Sequence, residues 1–176
     1  MHPSGPPGIR RRFPGARLLR PAAQVESVYD IDPWALKTRG ICGVILDLDN
    51  TIVPWGNWKA APELPIWIAA ARAAGLCLCI VSNNAGARVR HLAAALDLPV
   101  MTAALKPGPA AIRRAVAMMG TTTETTALVG DQVFTDILGG NWLGLHTILV
   151  RPQSTREFPL TRLVRFAERV MLGKRR

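Results

Sequence analysis

The stretch Ile41-Cys-Gly-Val-Ile-Leu-Asp-Leu-Asp-Asn-Thr51 joins a short apolar run to a cluster of polar residues. Its segment Val44-Ile-Leu46 is typical of a strand that is buried on both faces of a parallel sheet. Asp47 and Asp49 follow directly, and the alternation of an extended chain points both side chains to the same side. Because two close carboxylates repel each other, the pattern favours a bound divalent cation. The alternative is a polar turn after the strand, since Asp and Asn are common turn residues.

The rest of the chain alternates apolar, strand-like runs with helical patterns. Further strands are predicted at residues 76–81, 99–101, 126–129 and 146–150. A short lead-in helix is predicted within residues 24–38, with Asp32-Pro33 as its start. Further helices are predicted at residues 62–74, 85–96 and 106–119, with a short one around Asp136 that ends at Gly139-Gly140. The pattern predicts an α/β fold with a mostly parallel five-stranded sheet and helices on both faces.

Polar residues stand at four predicted strand ends, where open α/β sheets bind their ligands. They are Asp47 and Asp49, Ser82, Lys106, and Asp131 with Asp136. A carboxylate can attack phosphorus, and a second carboxyl group can transfer protons. Mg²⁺ prefers oxygen ligands, and a lysine suits phosphate oxygens. Each residue alone also has an ordinary explanation, such as a helix cap, a surface lysine or a turn, but the four positions together favour a phosphate site.

These residues resemble the motifs of the haloacid dehalogenase (HAD) superfamily, through Asp47-Leu-Asp-Asn-Thr51, Ser82, Lys106, and Gly130-Asp131 with Asp136. The resemblance implies a Rossmann-like core in which Asp47 is the nucleophile and Asp49 the general acid and base, assisted by Ser82 and Lys106. It implies that Mg²⁺ is held by Asp47, the Asp49 backbone carbonyl, Asp131 and Asp136, the last directly or through water. The phosphate is expected to contact Asp49, Asn50, Thr51, Ser82, Asn83 and Lys106.

A closer resemblance involves Val81-Ser-Asn-Asn84, residues 130–136 and residues 139–150. These segments are similar to the YqeG-type branch, which is related to mitochondrial phosphatidylglycerophosphate phosphatases. The branch implies a lipid phosphate monoester as substrate, with phosphatidylglycerol as product. Residues 52–81 and 83–105 are too few to contain an inserted cap domain. An open, uncapped site suits a large substrate.

The net charge of +10 is concentrated at the two ends of the chain. Residues 1–20 contain five arginines and no acidic residue, while residues 151–176 contain eight basic and two acidic residues. We therefore predict a basic flexible arm at residues 1–23, a phosphatase domain at residues 24–158 and a basic amphipathic helix at residues 159–176. Such segments favour anionic partners, either a membrane surface or nucleic acid.

Three alternatives remain for the partner and the substrate. The chain could act on a lipid phosphate at a membrane, with a flap carrying Trp55 and Trp58 and the C-terminal helix docking on anionic lipid. It could instead act on a soluble sugar, nucleotide or protein phosphate, or be a ribosome- or RNA-associated protein. The terminal segments carry few aromatic residues for base stacking, which mildly favours lipid over RNA.

The location expected from the sequence is cytoplasmic, with peripheral attachment to the inner face of the membrane as an option. The first residues are rich in Pro, Gly and Arg and lack the apolar core of a signal peptide. Three cysteines lie in strand-like runs and are predicted to be buried free thiols, which a reducing compartment permits.

Overall fold

The computed structural model describes residues 15–154 and contains one parallel sheet of six strands. The strands are β1 (Ala23–Val25), β2 (Gly43–Leu46), β3 (Cys77–Val81), β4 (Val100–Met101), β5 (Thr126–Gly130) and β6 (His146–Val150). They lie in the order β1-β6-β5-β2-β3-β4. All pairs are parallel, which confirms the predicted sheet type. The fully buried β2 lies near the middle, between β5 and β3.

The sheet has one strand more than the five predicted, because β1 adds to its edge. The short helix predicted to start at Asp32-Pro33 is present, with Asp32 as its N-cap. Ala23–Val25, for which no strand was predicted, pairs in parallel with Ile148, Leu149 and Val150 of β6. Ala23 and Val25 are half-buried and Gln24 is exposed, and the three residues carry no continuous apolar run. Pairing with β6, and not the local sequence, therefore makes residues 23–25 a strand.

The predicted flexible arm at residues 1–23 is partly folded. Residues Gly15–Leu18 form helix α1, and the Asn141 side-chain amide donates hydrogen bonds of 2.8 Å to the carbonyls of Leu18 and Arg20. The arm boundary is therefore corrected, since residues 15–23 lie against the domain. The remainder of the arm and the predicted helix at residues 159–176 fall outside the described residues.

The other helices cover both faces of the sheet. They are α2 (Pro33–Thr38), α3 (Glu63–Ala73), α4 (Ala87–Ala95), α5 (Pro109–Met118) and α6 (Leu138–Leu143), with a 3-10 turn at Val28–Asp30 and a π-turn at Val133–Ile137. Side chains from α2, α3 and α4 form one core with Val44 and Leu46. Side chains from α5 form the second core with Ile45 on the opposite face. The three-layer architecture is confirmed.

Helix α3 shows how the apolar pattern fixes the packing. Its buried residues are Leu64, Trp67, Ile68 and Ala71, which recur at the spacing of one helix face. The Trp67 indole donates a 2.8 Å hydrogen bond to the Ile31 carbonyl, so its one polar group is satisfied inside the core. Gly75 follows the helix with φ of +75°, a conformation that glycine adopts without strain.

Gly139-Gly140 was predicted to end a helix, but α6 continues through it and ends at Gly144, which has φ of +81°. A Cβ atom at position 140 would lie 2.5 Å from Cγ2 of Thr147, and one at position 139 would lie 3.2 Å from the Pro107 backbone. The pair therefore permits close packing of α6 on its neighbours. Both glycines are explained by the close approach of neighbouring residues, and not by the end of a helix.

The connections within residues 15–154 are short and contain no inserted cap domain. Between β2 and β3 lie only a flap and α3, and between β3 and β4 only α4. Within the described residues, no inserted domain therefore covers the carboxyl-end edge of the sheet. Among the described helices, none has the length and apolar content needed to cross a bilayer. The predicted burial of the cysteines is correct only for Cys79, because Cys77 is exposed and Cys42 is half-buried.

Candidate active site

Asp47 lies just beyond β2, at the carboxyl-end edge of the sheet. Its backbone amide donates a 2.9 Å hydrogen bond to the Val129 carbonyl, which extends the pairing with β5 and fixes the direction of the side chain. Asn50 then turns the chain with φ of +62°, a left-handed conformation that Asn tolerates. The strand and the turn therefore place Asp47 and Asp49 at the same edge.

Both carboxylate oxygens of the buried Asp47 are held by defined partners. Oδ1 lies 2.6 Å from the Lys106 ammonium, and Oδ2 accepts a 3.1 Å hydrogen bond from the Thr51 hydroxyl. Burial raises the pKa of Asp47 to about 6, although Lys106 opposes the shift; the Asp136 carboxylate adds to it. At neutral pH the group is a fixed carboxylate, the form that can attack phosphorus.

Lys106 joins two acidic side chains from different strand ends. Its ammonium lies 2.6 Å from Asp47 and 2.7 Å from Asp136, and all three side chains are buried. Burial alone would lower the pKa of Lys106, but the Asp136 and Asp47 carboxylates outweigh it and hold the pKa above its ordinary value. The lysine is therefore a permanent cation within the site.

The backbone of Lys106 is fixed from the neighbouring loop by Asn83. The Asn83 side-chain oxygen accepts a 2.7 Å hydrogen bond from the Lys106 amide, and its NH₂ group donates a 3.3 Å bond to the Lys106 carbonyl. We predicted that Asn83 contacts phosphate. The contacts in the structure favour a positioning role for its side chain.

Three buried carboxylates meet beside this lysine. Ligand oxygens of Asp47, Asp131 and Asp136 all lie within 4.8 Å of one another. Asp131 follows β5, and the Gln132 amide donates a 3.1 Å hydrogen bond to Asp136 Oδ2. A Cβ atom at Gly130 would lie 2.3 Å from the Asp136 carboxyl carbon, so only glycine at this position lets Asp136 enter the cluster.

The cluster fits a divalent cation. One lysine carries one positive charge against three buried carboxylates, and such a charge excess is costly away from water. The donors are all oxygens, which suits Mg²⁺. The Asp49 side chain pairs with Arg88 and is not part of this cluster. The ligand predicted from Asp49 is its backbone carbonyl, not this side chain.

Two further predicted residues lie around the site with different contacts. The buried Ser82 hydroxyl accepts a 3.1 Å hydrogen bond from the Asn84 amide, and a hydroxyl group can also donate one hydrogen bond. Asn50 uses its side-chain oxygen to accept bonds from the Trp55 amide and the Ser154 hydroxyl, at 3.0 and 2.7 Å. These two contacts hold the flap in place.

Asp49 has a partner that the sequence did not suggest. Arg88, near the start of α4, is only 9% exposed; its guanidinium forms an ion pair with Asp49 Oδ1 and donates a 3.0 Å hydrogen bond to the Asn57 carbonyl. The overlooked signal was a charged residue on a buried helix face beside Val89 and Leu92. Because arginine is usually exposed, that signal is weak in the sequence alone.

The flap between Thr51 and α3 exposes one of its tryptophans. Trp58 is 54% exposed, and its ring centroid lies 5.7 Å from that of His91 on α4. Trp55 is half-buried. Leu105, which directly precedes Lys106, is 79% exposed. Large apolar side chains therefore border the open edge of the site.

Comparisons with known proteins agree with this geometry. A family model described as HAD-hydrolase-like matches residues 104–169. The probable phosphatase YqeG of Bacillus subtilis is 40% identical over 157 residues, which cover 89% of this chain and 91% of that protein. The chloroplastic/mitochondrial phosphatidylglycerophosphate phosphatase 1 of Arabidopsis thaliana is 30% identical over 168 residues, or 90% of this chain and 48% of that protein. The chain thus spans about half of the plant enzyme.

A solved structure shows the same fold at lower sequence identity. The cobalt-bound deoxy-D-mannose-octulosonate 8-phosphate phosphatase of Haemophilus influenzae aligns with a TM-score of 0.51 and 18% identity. The alignment covers 64% of this chain and 69% of that one. The 40% identity with YqeG over most of both chains places this chain among the HAD-like hydrolases, as a phosphatase of the branch that contains YqeG and the phosphatidylglycerophosphate phosphatases, and the acidic cluster around Lys106 fits that family.

Proposed function

We propose that this phosphatase hydrolyses phosphomonoesters through an aspartyl phosphate on Asp47. The observation that carries the proposal is the placement of Asp47, buried between Lys106 and Thr51 with Asp131 and Asp136 beside it. A structural carboxylate would not require so many buried charges at an open sheet edge. Perturbed, clustered ionisable groups at such an edge are typical of catalytic sites.

In the first step, a carboxylate oxygen of Asp47 bonds to phosphorus as the bond from phosphorus to the ester oxygen breaks. The Asp49 carboxylic acid gives its proton to the departing alcohol oxygen. In the second step, the Asp49 carboxylate takes a proton from water, whose oxygen bonds to phosphorus. The bond from phosphorus to Asp47 breaks, and inorganic phosphate leaves with the site restored.

The phosphoryl oxygens are held by the Lys106 ammonium and the Ser82 hydroxyl in this proposal. Thr51 and Asn83 do not contact the phosphoryl group in this proposal. Thr51 instead fixes the Asp47 carboxylate, and Asn83 fixes the Lys106 backbone. Asn50 supports the flap. The predicted group of phosphate-binding residues is thereby divided into those that touch phosphate and those that position them.

Asp47, Asp131, Asp136 and the Asp49 carbonyl would hold Mg²⁺. The bound cation would neutralise charge on the phosphoryl oxygens and on the buried carboxylates. Three oxygens from two strand ends already lie close together, so little reorganisation is needed.

For the substrate class, we propose a lipid phosphate monoester, with phosphatidylglycerophosphate as the specific candidate. The names of the plant and algal relatives suggest the headgroup. The open edge and the exposed Leu105 and Trp58 support a substrate presented by a bilayer, because apolar and aromatic side chains insert at headgroup depth. The basic segments at residues 1–14 and 159–176 would add attraction to anionic lipid, about 1 kcal/mol per Lys or Arg near the surface.

Phosphate release from the full-length chain with Mg²⁺ tests this substrate class. We expect turnover of phosphatidylglycerophosphate in anionic vesicles to exceed that of glycerol 3-phosphate, a nucleoside monophosphate and a phosphoserine peptide, at equal concentration. The Leu105→Asn variant keeps a residue that tolerates the left-handed backbone, φ of +53°, and removes the apolar contact. It should lower vesicle turnover and leave glycerol 3-phosphate turnover unchanged.

Met118→Gln is the matched control, since Met118 is an exposed apolar residue at the far end of α5. It should change neither activity. Equal or better turnover of a soluble phosphomonoester by the intact chain would support the soluble-substrate alternative and reject the lipid proposal.

A further inference from the structure

We infer that Arg88 is a positioning residue that holds the acid/base carboxylate of Asp49 and the flap in one fixed arrangement. The inference rests on the proposed function, in which Asp49 transfers the proton in both steps. It adds a residue from α4, outside the four strand-end motifs, to the catalytic apparatus.

Arg88 connects three parts of the edge. One guanidinium nitrogen pairs with Asp49 Oδ1, on the turn after β2, and the other donates to the Asn57 carbonyl in the flap. The side chain itself comes from the first turn of α4 and is buried beside Val89 and Leu92. A planar guanidinium has donors in a fixed fork, so both contacts set a single orientation.

The Asp49 carboxylate needs such a partner. It is 18% exposed, whereas Asp47 is held by Lys106 and Thr51. No cap domain is inserted within residues 15–154 to close over it. A long, buried arginine from a neighbouring helix supplies the constraint. Because Arg88 occupies Oδ1, the proton transfers fall to Oδ2.

The two chemical steps depend on Asp49 to different extents, and this gives a specific test. With p-nitrophenyl phosphate, p-nitrophenolate departs without a proton, so the first step does not need Asp49. The second step still needs Asp49 to deprotonate water. A misplaced Asp49 should therefore slow the breakdown of the aspartyl phosphate and leave its formation intact.

The experiment is rapid-mixing kinetics of the full-length Arg88→Met variant with Mg²⁺ and p-nitrophenyl phosphate. Methionine keeps the buried apolar stem and removes both hydrogen bonds. We expect a burst of about one p-nitrophenolate per protein, followed by steady turnover reduced about tenfold to a hundredfold, with KM changed less than about threefold. With glycerol 3-phosphate, whose leaving group needs a proton, turnover should fall without a burst.

Arg88→Lys keeps the charge but an ammonium lacks the fork, so an intermediate turnover is expected. Arg90→Met is the control on the same helix. Arg90 is exposed, and within residues 15–154 its side chain bonds only the Ala85 carbonyl, at 2.8 Å, so wild-type kinetics are expected. A merely structural role predicts that burst amplitude and steady rate fall together as folded protein is lost.

A joint fall of burst amplitude and steady rate in Arg88→Met, or unchanged turnover of that variant, would overturn the positioning role. The failure of the proposed function itself looks different. In that case the wild-type chain forms no phosphoenzyme and releases no phosphate from any of these esters.

Discussion

Replacing Asp47 by asparagine should abolish phosphatase activity without unfolding the protein. Asparagine has the same shape and can still accept the Thr51 hydroxyl bond, but it is not the carboxylate nucleophile. We expect phosphate release to fall by at least about four orders of magnitude, which corresponds to about 5.5 kcal/mol of barrier. The comparison requires phosphate release by purified wild-type and variant chains, with far-UV circular dichroism to verify folding.

Asp97→Asn is a suitable control for this change. Asp97 is an exposed carboxylate beyond the end of α4, and its left-handed backbone, φ of +52°, also tolerates asparagine. It should keep full activity. Near-normal turnover by folded Asp47→Asn protein would remove Asp47 from the role of nucleophile.

Replacing Lys106 by methionine should strongly destabilise the folded protein. The substitution leaves the Asp47 and Asp136 carboxylates buried without the cation that lies 2.6 and 2.7 Å from them. Breaking a buried ion pair from one side costs about 3–5 kcal/mol. In a domain of this size, that corresponds to a fall in melting temperature of about 10 °C, measurable by calorimetry in EDTA.

The loss of stability in Lys106→Met should also depend on pH and on the presence of Mg²⁺. Burial already raises the pKa of Asp47 above its usual value, so the folded state takes up a proton there more readily than the unfolded state. Stability lost by Lys106→Met should therefore be recovered as pH falls from 8 towards 5. Mg²⁺ at pH 8 should restore part of the stability through the carboxylates, but no activity.

Arg72→Met breaks an ion pair with Asp97 in which the side chains are 46% and 90% exposed, and it should cost less than about 1 kcal/mol. If Lys106→Met melts like this surface control in EDTA, the buried ion pairs of Lys106 do not stabilise the fold.

The sequence predicted those features that depend on local pattern. The apolar run at Val44–Leu46 indicated the central strand, and the spacing of Leu64, Trp67, Ile68 and Ala71 indicated the buried face of α3. The strand ends then brought together Asp47, Lys106, Asp131 and Asp136, because parallel strands present their carboxyl ends at one edge. These predictions required periodicity and topology but no tertiary detail.

Features that depend on a distant partner were not predictable. The edge strand Ala23–Val25 exists through its pairing with β6, and its own residues carry no strong strand pattern. Arg88 is charged, and charged side chains are usually exposed to solvent. Its burial and its ion pair with Asp49 are visible only in the structure. Gly139-Gly140 has the composition of a helix end, but its function is close packing against Pro107 and Thr147.

The aspartyl-phosphate mechanism can be tested by trapping the phosphoryl group on the protein. Wild-type chain mixed with p-nitrophenyl phosphate and Mg²⁺ would be quenched in acid within milliseconds, reduced with borohydride and mapped by mass spectrometry. We expect residue 47 to be converted to homoserine, with loss of the signal in EDTA or in Asp131→Asn. Steady phosphate release with no modification at residue 47, or with the phosphoryl group on another residue, would contradict the mechanism.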